Sequence, residues 1–136
     1  MSKRAANLVL AAASLMLGGL LYVLFRPTTI LAVLCGQIPI VLQIQMLFAR
    51  HKCPVLSYYF VDFLWGLSLS SGLQAIHTPR KKGIIGFALL AFGWGCLWEV
   101  LQWLRVVSGT GDFFDVFMYF LAALISILIN FKERKL

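Results

Sequence analysis

Four carboxylates carry the chemical interest of this chain. Asp62 lies inside one apolar run, Glu99 stands near the end of another, and Asp112 and Asp115 open a third. An unpaired carboxylate in such a run is expensive in lipid, so each needs a partner or a purpose. Glu99-x-x-Gln102 places two polar groups on one helical face, and Asp112-x-x-Asp115 repeats the spacing after the loop Ser108-Gly109-Thr110-Gly111. Carboxylates brought together in this way share a proton, recruit a cation such as Arg105, or separate into an acid and a base where burial differs between them. A divalent-metal site on Asp112-x-x-Asp115 would need further carboxylates and phosphate-binding groups, and only Asp62 and Glu99 are at hand. No metal and no other cofactor is therefore expected. The bland readings are definite too: Asp112 and Asp115 as helix N-terminal caps, and Glu99 and Gln102 as hydrogen-bonding glue between helices.

To act together these residues must be held by helices that face each other. At about 100° per residue, Ala88, Ala91, Gly95, Glu99 and Gln102 fall within an arc of about 80° on a helix over roughly 84–105. Asp112, Asp115, Tyr119, Ala122, Ser126 and Asn130 fall within a similar arc, about 80°, on a helix over roughly 112–131. Both stripes are small and polar on faces otherwise made of Leu, Ile, Val, Phe and Trp. The short loop predicts antiparallel packing, with Gly95 and Ala122 allowing close approach, Tyr119, Ser126 and Asn130 completing the packing stripe, and Glu99 near Asp115. On a further helix over 55–77, Tyr58, Asp62, Gly66 and Ser70 share one side, within about 120°.

Composition names the solvent. The chain is 61% hydrophobic and 12% charged, with a mean hydropathy of +0.90, whereas globular chains carry about 25% charged residues. Several apolar runs reach about 20 residues, enough to cross the hydrocarbon core as a helix. The expected fold is an all-α, polytopic transmembrane helical bundle: one domain over residues 1–136, with four to five membrane helices and a kinked or re-entrant second segment. The net charge of +7 sits at the ends of the runs, where it suits anionic lipid head groups, and nucleic acid is not expected as a partner. Cys35, Cys53 and Cys96 lie far apart without a Cys-x-x-Cys, against both metal ligation and a disulfide framework. Trp65, Trp94, Trp98 and Trp103 suit interfacial belts and core.

In chain order, the run after Lys3-Arg4 has no small-residue cleavage site before Arg26-Pro27, so residues 5–25 read as a membrane helix. The run 28–48 is interrupted by Gly36, Gln37 and Pro39, with Gln43 and Gln45 beyond. A proline removes a backbone donor, which predicts a kink, a break or a re-entrant path. Arg50-His51-Lys52-Cys53-Pro54 is a polar turn, 77–83 a basic loop and 132–135 a charged tail. If the last three runs all span, Arg50, Lys52 and Arg105 share one side. Arg80, Lys81, Lys82, Lys132, Arg134 and Lys135 share the other, which predicts a cytoplasmic C-terminus. Lys3 and Arg4 favour a cytoplasmic N-terminus as well. That requires 28–48 not to cross, giving four spans; otherwise there are five, with the N-terminus outside. In either case Asp62 begins on the membrane side of Glu99, Gln102, Asp112 and Asp115, so these groups can converge on the outer face. His77 and Ser108 fall on opposite sides and leave no nucleophile–base pair.

Glu99-x-x-Gln102, a short Gly/Thr loop and Asp112-x-x-Asp115-Val116 together resemble the signature of VanZ-like membrane proteins. Upstream, Asp62-Phe63-Leu64-Trp65-Gly66-Leu67 is similar to that family's Asp/Asn segment. The match covers about 30 residues, and more loosely some 75. Tyr119 stands where the family usually has Asn, and Ala122-Ala123 replace a Gly-rich step. The resemblance implies a protein of the bacterial cytoplasmic membrane, related to a glycopeptide (teicoplanin) resistance determinant; it implies no reaction.

Three functions are compatible with these residues. The leading expectation is an envelope protein that binds a lipid or lipid-linked precursor in an acidic groove at the outer face, changing its exposure to glycopeptides. Its partners would be membrane lipids, the lipid-linked precursor or the glycopeptide itself. The alternatives are a small membrane enzyme using Glu99 and Asp115 as an acid–base pair on a lipid head group, and a structural accessory subunit whose stripes only pack helices.

Overall fold

A computed structural model describes residues 2–26, 29–50, 55–77 and 81–132. The polar turn at 51–54, residues 78–80 of the basic loop and the tail from 133 lie outside the described residues. The described residues are all-helical, without strands. Their helices are α1 (Lys3–Phe25), α2 (Ile30–Cys35), α3 (Pro39–Arg50), α4 (Phe60–Ile76), α5 (Lys81–Trp103) and α6 (Phe113–Lys132), and a π-helical turn, Val55–Tyr59, leads into α4. Among them, Lys3–Phe25, Lys82–Trp103 and Phe113–Phe131 are long and apolar enough to cross a membrane.

The arrangement of residues fits a protein whose solvent is lipid. Its interior is small and polar: Ala75, Ala88, Ala122, Ser70, Ser71 and Ser126 are fully buried. Its exterior is large and apolar, with Met16 at 75% exposure and Phe113 at 79%. Lipid tails are as apolar as Leu, so helices in a bilayer gain little by hiding Leu from their surroundings. They associate instead through close backbone approach at small residues and through interhelical hydrogen bonds.

The central helix is α4, which packs against α1, α5 and α6, while α5 and α6 pack on each other. By contrast, α1 and α5 flank α4 without a packed interface between them. Ser2 starts α1 by accepting a hydrogen bond from the Ala5 N–H at 3.2 Å. At the other end the Gln45 side chain of α3 donates to the Val23 carbonyl at 3.0 Å and to the Ala32 carbonyl at 3.1 Å. Gln45 is buried, and its amide ties α1, α2 and α3 together.

The run from 30 to 50 is two separate helices, of six and twelve residues. Pro39 has no N–H for Cys35, whose carbonyl accepts from Ile38 at 3.1 Å. Thr29 caps α2, accepting from the Ala32 N–H at 3.4 Å and donating to the Arg26 carbonyl at 2.9 Å.

Candidate functional site

Tyr119 is the floor on which the site is built. Its ring lies against two glycines on neighbouring helices. A Cβ at Gly95 of α5 would stand 2.5 Å from the ring, and one at Gly66 of α4 would stand 3.1 Å from it. Only a residue without a side chain fits at Gly95, and its absence lets α5 and α6 close on an aromatic ring. Tyr119 is buried, yet its hydroxyl reaches Asp62 Oδ1 of α4 and donates at 3.2 Å.

Above this floor the carboxylates converge. Glu99 is 2% exposed, and its Oε2 accepts from the Asp112 backbone N–H at 3.0 Å. It therefore fastens the end of α5 to the start of α6. Asp112 caps α6, its Oδ1 accepting from the Phe114 N–H at 3.0 Å while Oδ2 accepts from the Tyr59 hydroxyl at 3.3 Å. The Asp115 and Asp62 side chains act directly on each other, across from α6 to α4. Asp115 Oδ1 is buried without a partner among the described residues. Gln102 holds the loop: with its amide turned to match its neighbours, the nitrogen donates to the Thr110 carbonyl at 3.2 Å and the oxygen accepts from Trp98 Nε1 at 2.9 Å. Gly109, at φ 133, makes the turn beneath it.

The cation of the site is Arg26, at the end of α1. Its guanidinium lies over the rings of Tyr22, at 5.2 Å, and Tyr58, at 4.8 Å, and its field acts on both Asp62 and Asp115. Nothing in the residue pattern singles it out, because beside Pro27 it reads as a helix end. Arg105, the cation nearest the acids in sequence, stays exposed and does not line the site. It has φ 57 and ends α5, with the Val106 N–H reaching back to the Leu101 carbonyl at 2.9 Å. This is the left-handed terminating position that glycine usually takes.

Asp62, Glu99, Gln102, Asp112, Asp115 and Arg26 all line one half-open cavity of about 860 Å³. It occupies the gap between α1 and α5, with α4 and α6 behind, and Leu15, Leu69 and Ala91 continue its wall in apolar form. The described residues contain no group of three His, Cys, Asp or Glu placed to hold a metal ion. The geometry can receive a cationic or hydrogen-bond-donating group among the carboxylates and an anionic group at Arg26.

The other stripe residues lie deeper and do not enter the cavity. Ser126 accepts from the Ser70 hydroxyl at 2.8 Å and from the Gln74 amide at 2.9 Å. Asn130 and Asn7 of α1 pair amide to amide, at 2.9 and 3.3 Å. Gly95, Ala122 and Gly66 separate this neutral layer from the acidic one. Comparison with protein-family models, with curated proteins and with solved structures returns no match.

Proposed function

We propose that this chain is a VanZ-like protein of the bacterial cytoplasmic membrane that binds the head group of a lipid or lipid-linked envelope precursor. The observation that carries the reading is the half-open cavity: charged at one end, apolar toward Leu15 and Leu69, and opening beside α1. Its volume is in the range of small-molecule sites, about 300–1,000 Å³. Glycopeptide susceptibility would follow if the captured molecule were the drug's target.

Four spans suit this reading. At about 1.5 Å per residue α2 is about 9 Å long and α3 about 18 Å, too short to cross about 30 Å of hydrocarbon. Residues 30–50 then enter and leave on one side, and α1, α4 with its π-helical turn, α5 and α6 cross. Both termini face the cytoplasm, together with Lys3, Arg4, Arg80, Lys81, Lys82, Lys132, Arg134 and Lys135. The outer side keeps Arg26, Arg50, Lys52 and Arg105. The cavity opens in the outer leaflet. Acid–base chemistry by Glu99 and Asp115 draws less support, since Glu99 is engaged by the loop backbone.

The test is retention of lipid. Delipidated protein incubated with a bacterial lipid extract and repurified should hold bound lipid near one molecule per chain by mass spectrometry. Replacing Asp62→Asn and Asp115→Asn together should lower that at least tenfold with helix content unchanged. No retained lipid, or equal retention by the variant, overturns the reading.

A further inference from the structure

The acidic wall and Arg26 pose one problem together. Four carboxylates and one guanidinium share a cavity, and an atom on each side, Asp115 Oδ1 and Arg26 Nε, is buried without a partner among the described residues. Buried polar atoms in folded proteins are nearly always paired, so an orphan acceptor and an orphan donor in one open cavity mark places a ligand can complete. The acceptor asks for a hydrogen-bond donor, best a charged one, and the donor asks for an anionic oxygen. A ligand with only negative charge would meet the carboxylates, and one with only positive charge would meet Arg26. The two demands are satisfied together by a group carrying both signs a short distance apart.

The walls say how such a group arrives. Because α1 and α5 share no packed interface, residues of both line the cavity across a gap, and such a gap between two helices gives a lipid a sideways route in. The cavity's apolar end is formed by Leu15, Leu69 and Ala91 with the Trp94 ring, which is 61% exposed.

Building on the lipid-binding reading, we propose that the cavity takes a phospholipid whose head group joins a primary ammonium to a phosphodiester. The ammonium donates to Asp115 Oδ1 beside Asp62, the phosphodiester accepts from Arg26, and the acyl chains leave between α1 and α5 past Leu15 and Leu69. A primary ammonium offers three N–H donors to the carboxylates. A trimethylated ammonium offers none, and a glycerol head group brings no positive charge to meet them. The flat guanidinium, held over Tyr22 and Tyr58, suits a phosphodiester better than a lysine would.

The experiment uses the full chain in detergent micelles with a fluorescent-chain phosphatidylethanolamine as probe, and unlabelled lipids as competitors. Phosphatidylethanolamine should displace the probe at least tenfold better than phosphatidylcholine or phosphatidylglycerol, and soluble phosphoethanolamine should compete at least a hundredfold less well. Arg26→Gln should weaken probe binding at least tenfold, with Arg26→Lys recovering part of it. Asp115→Asn should reduce the preference for phosphatidylethanolamine over phosphatidylglycerol, a readout that survives if overall binding changes little. Equal displacement by all three lipids overturns the head-group assignment and leaves lipid binding standing. Phosphoethanolamine competing as well as the lipid shows a soluble ligand and overturns it as well. Absence of probe binding to wild-type protein sinks both this proposal and the reading beneath it.

Discussion

The two polar regions of this helix bundle lie on the same stripe of α6 and are built on opposite terms. Ser126 and Asn130 meet Ser70, Gln74 and Asn7 in a buried neutral layer that bonds largely within itself, with Gln74 Oε1 left unpartnered among the described residues. Asp112 and Asp115 meet Asp62, Glu99, Tyr59, Tyr119 and Arg26 in a charged region open beside α1, where acceptors outnumber donors. Hydroxyls and amides are both donors and acceptors and can satisfy one another. Carboxylates cannot, unless a proton or a cation is supplied. The difference separates a region that holds helices together from one that keeps capacity for something else, although both look alike as buried polarity.

The largest effect should come at the boundary between them. Gly95→Val puts atoms where the Tyr119 ring lies, and the ring is backed by Gly66, so it cannot retreat. We expect a loss of about 1–3 kcal/mol in detergent unfolding titrations, the range for overpacking a tight core, together with loss of lipid retention. A variant of wild-type stability would show that the ring is free to move and that the two regions are not separately sealed.

Next in size is a change inside the neutral layer. Ser126→Ala strands the Ser70 hydroxyl and leaves the Gln74 amide only its 3.2 Å bond to Ser70, so it should cost about 1–2 kcal/mol in the same titration. Asp115→Asn, a change of comparable size in the open region, should leave stability within about 0.5 kcal/mol, or raise it by easing repulsion with Asp62. The comparison fails if the two costs are reversed. Smallest is Arg105→Gly. It removes a charge that the cavity does not use and relaxes a left-handed backbone position, so stability should hold or rise by up to about 1 kcal/mol. A clear loss of stability or of lipid binding would return Arg105 to the site.

How far the residues alone speak for this arrangement differs between the regions. Ala88, Ala91, Gly95 and Glu99 on α5, and Tyr119, Ala122, Ser126 and Asn130 on α6, are buried and helical periodicity alone groups them, while Ile84 and Ala123, also buried, lie outside the two stripes. Membrane character is legible for the same reason, since apolar run lengths survive any detail of packing. Arg26 is not legible. It enters the site because α1 packs on α4, a contact across some forty residues that no local spacing encodes. Arg105 misleads in the opposite direction: closeness in sequence makes it the obvious partner for the acids, but the tight end of α5 turns it away. Gln45 stands between these cases, conspicuous as an amide in an apolar run yet with targets, the Val23 and Ala32 carbonyls, that only the packing of α1 and α2 brings within reach.

The seating of Tyr119 against Gly66 and Gly95 reaches beyond this one chain. Three positions on three helices share one volume, so none can change size alone. Related sequences with a shorter residue at the position of Tyr119, such as an amide, should carry alanine, serine or larger at one or both of the positions matching Gly66 and Gly95. Those sequences would also lack the phenol that reaches Asp62. A homologue collection would then split into two lineages, one with an aromatic wedge and a pair of glycines, the other with an amide and filled helix faces, and intermediates between them should be scarce.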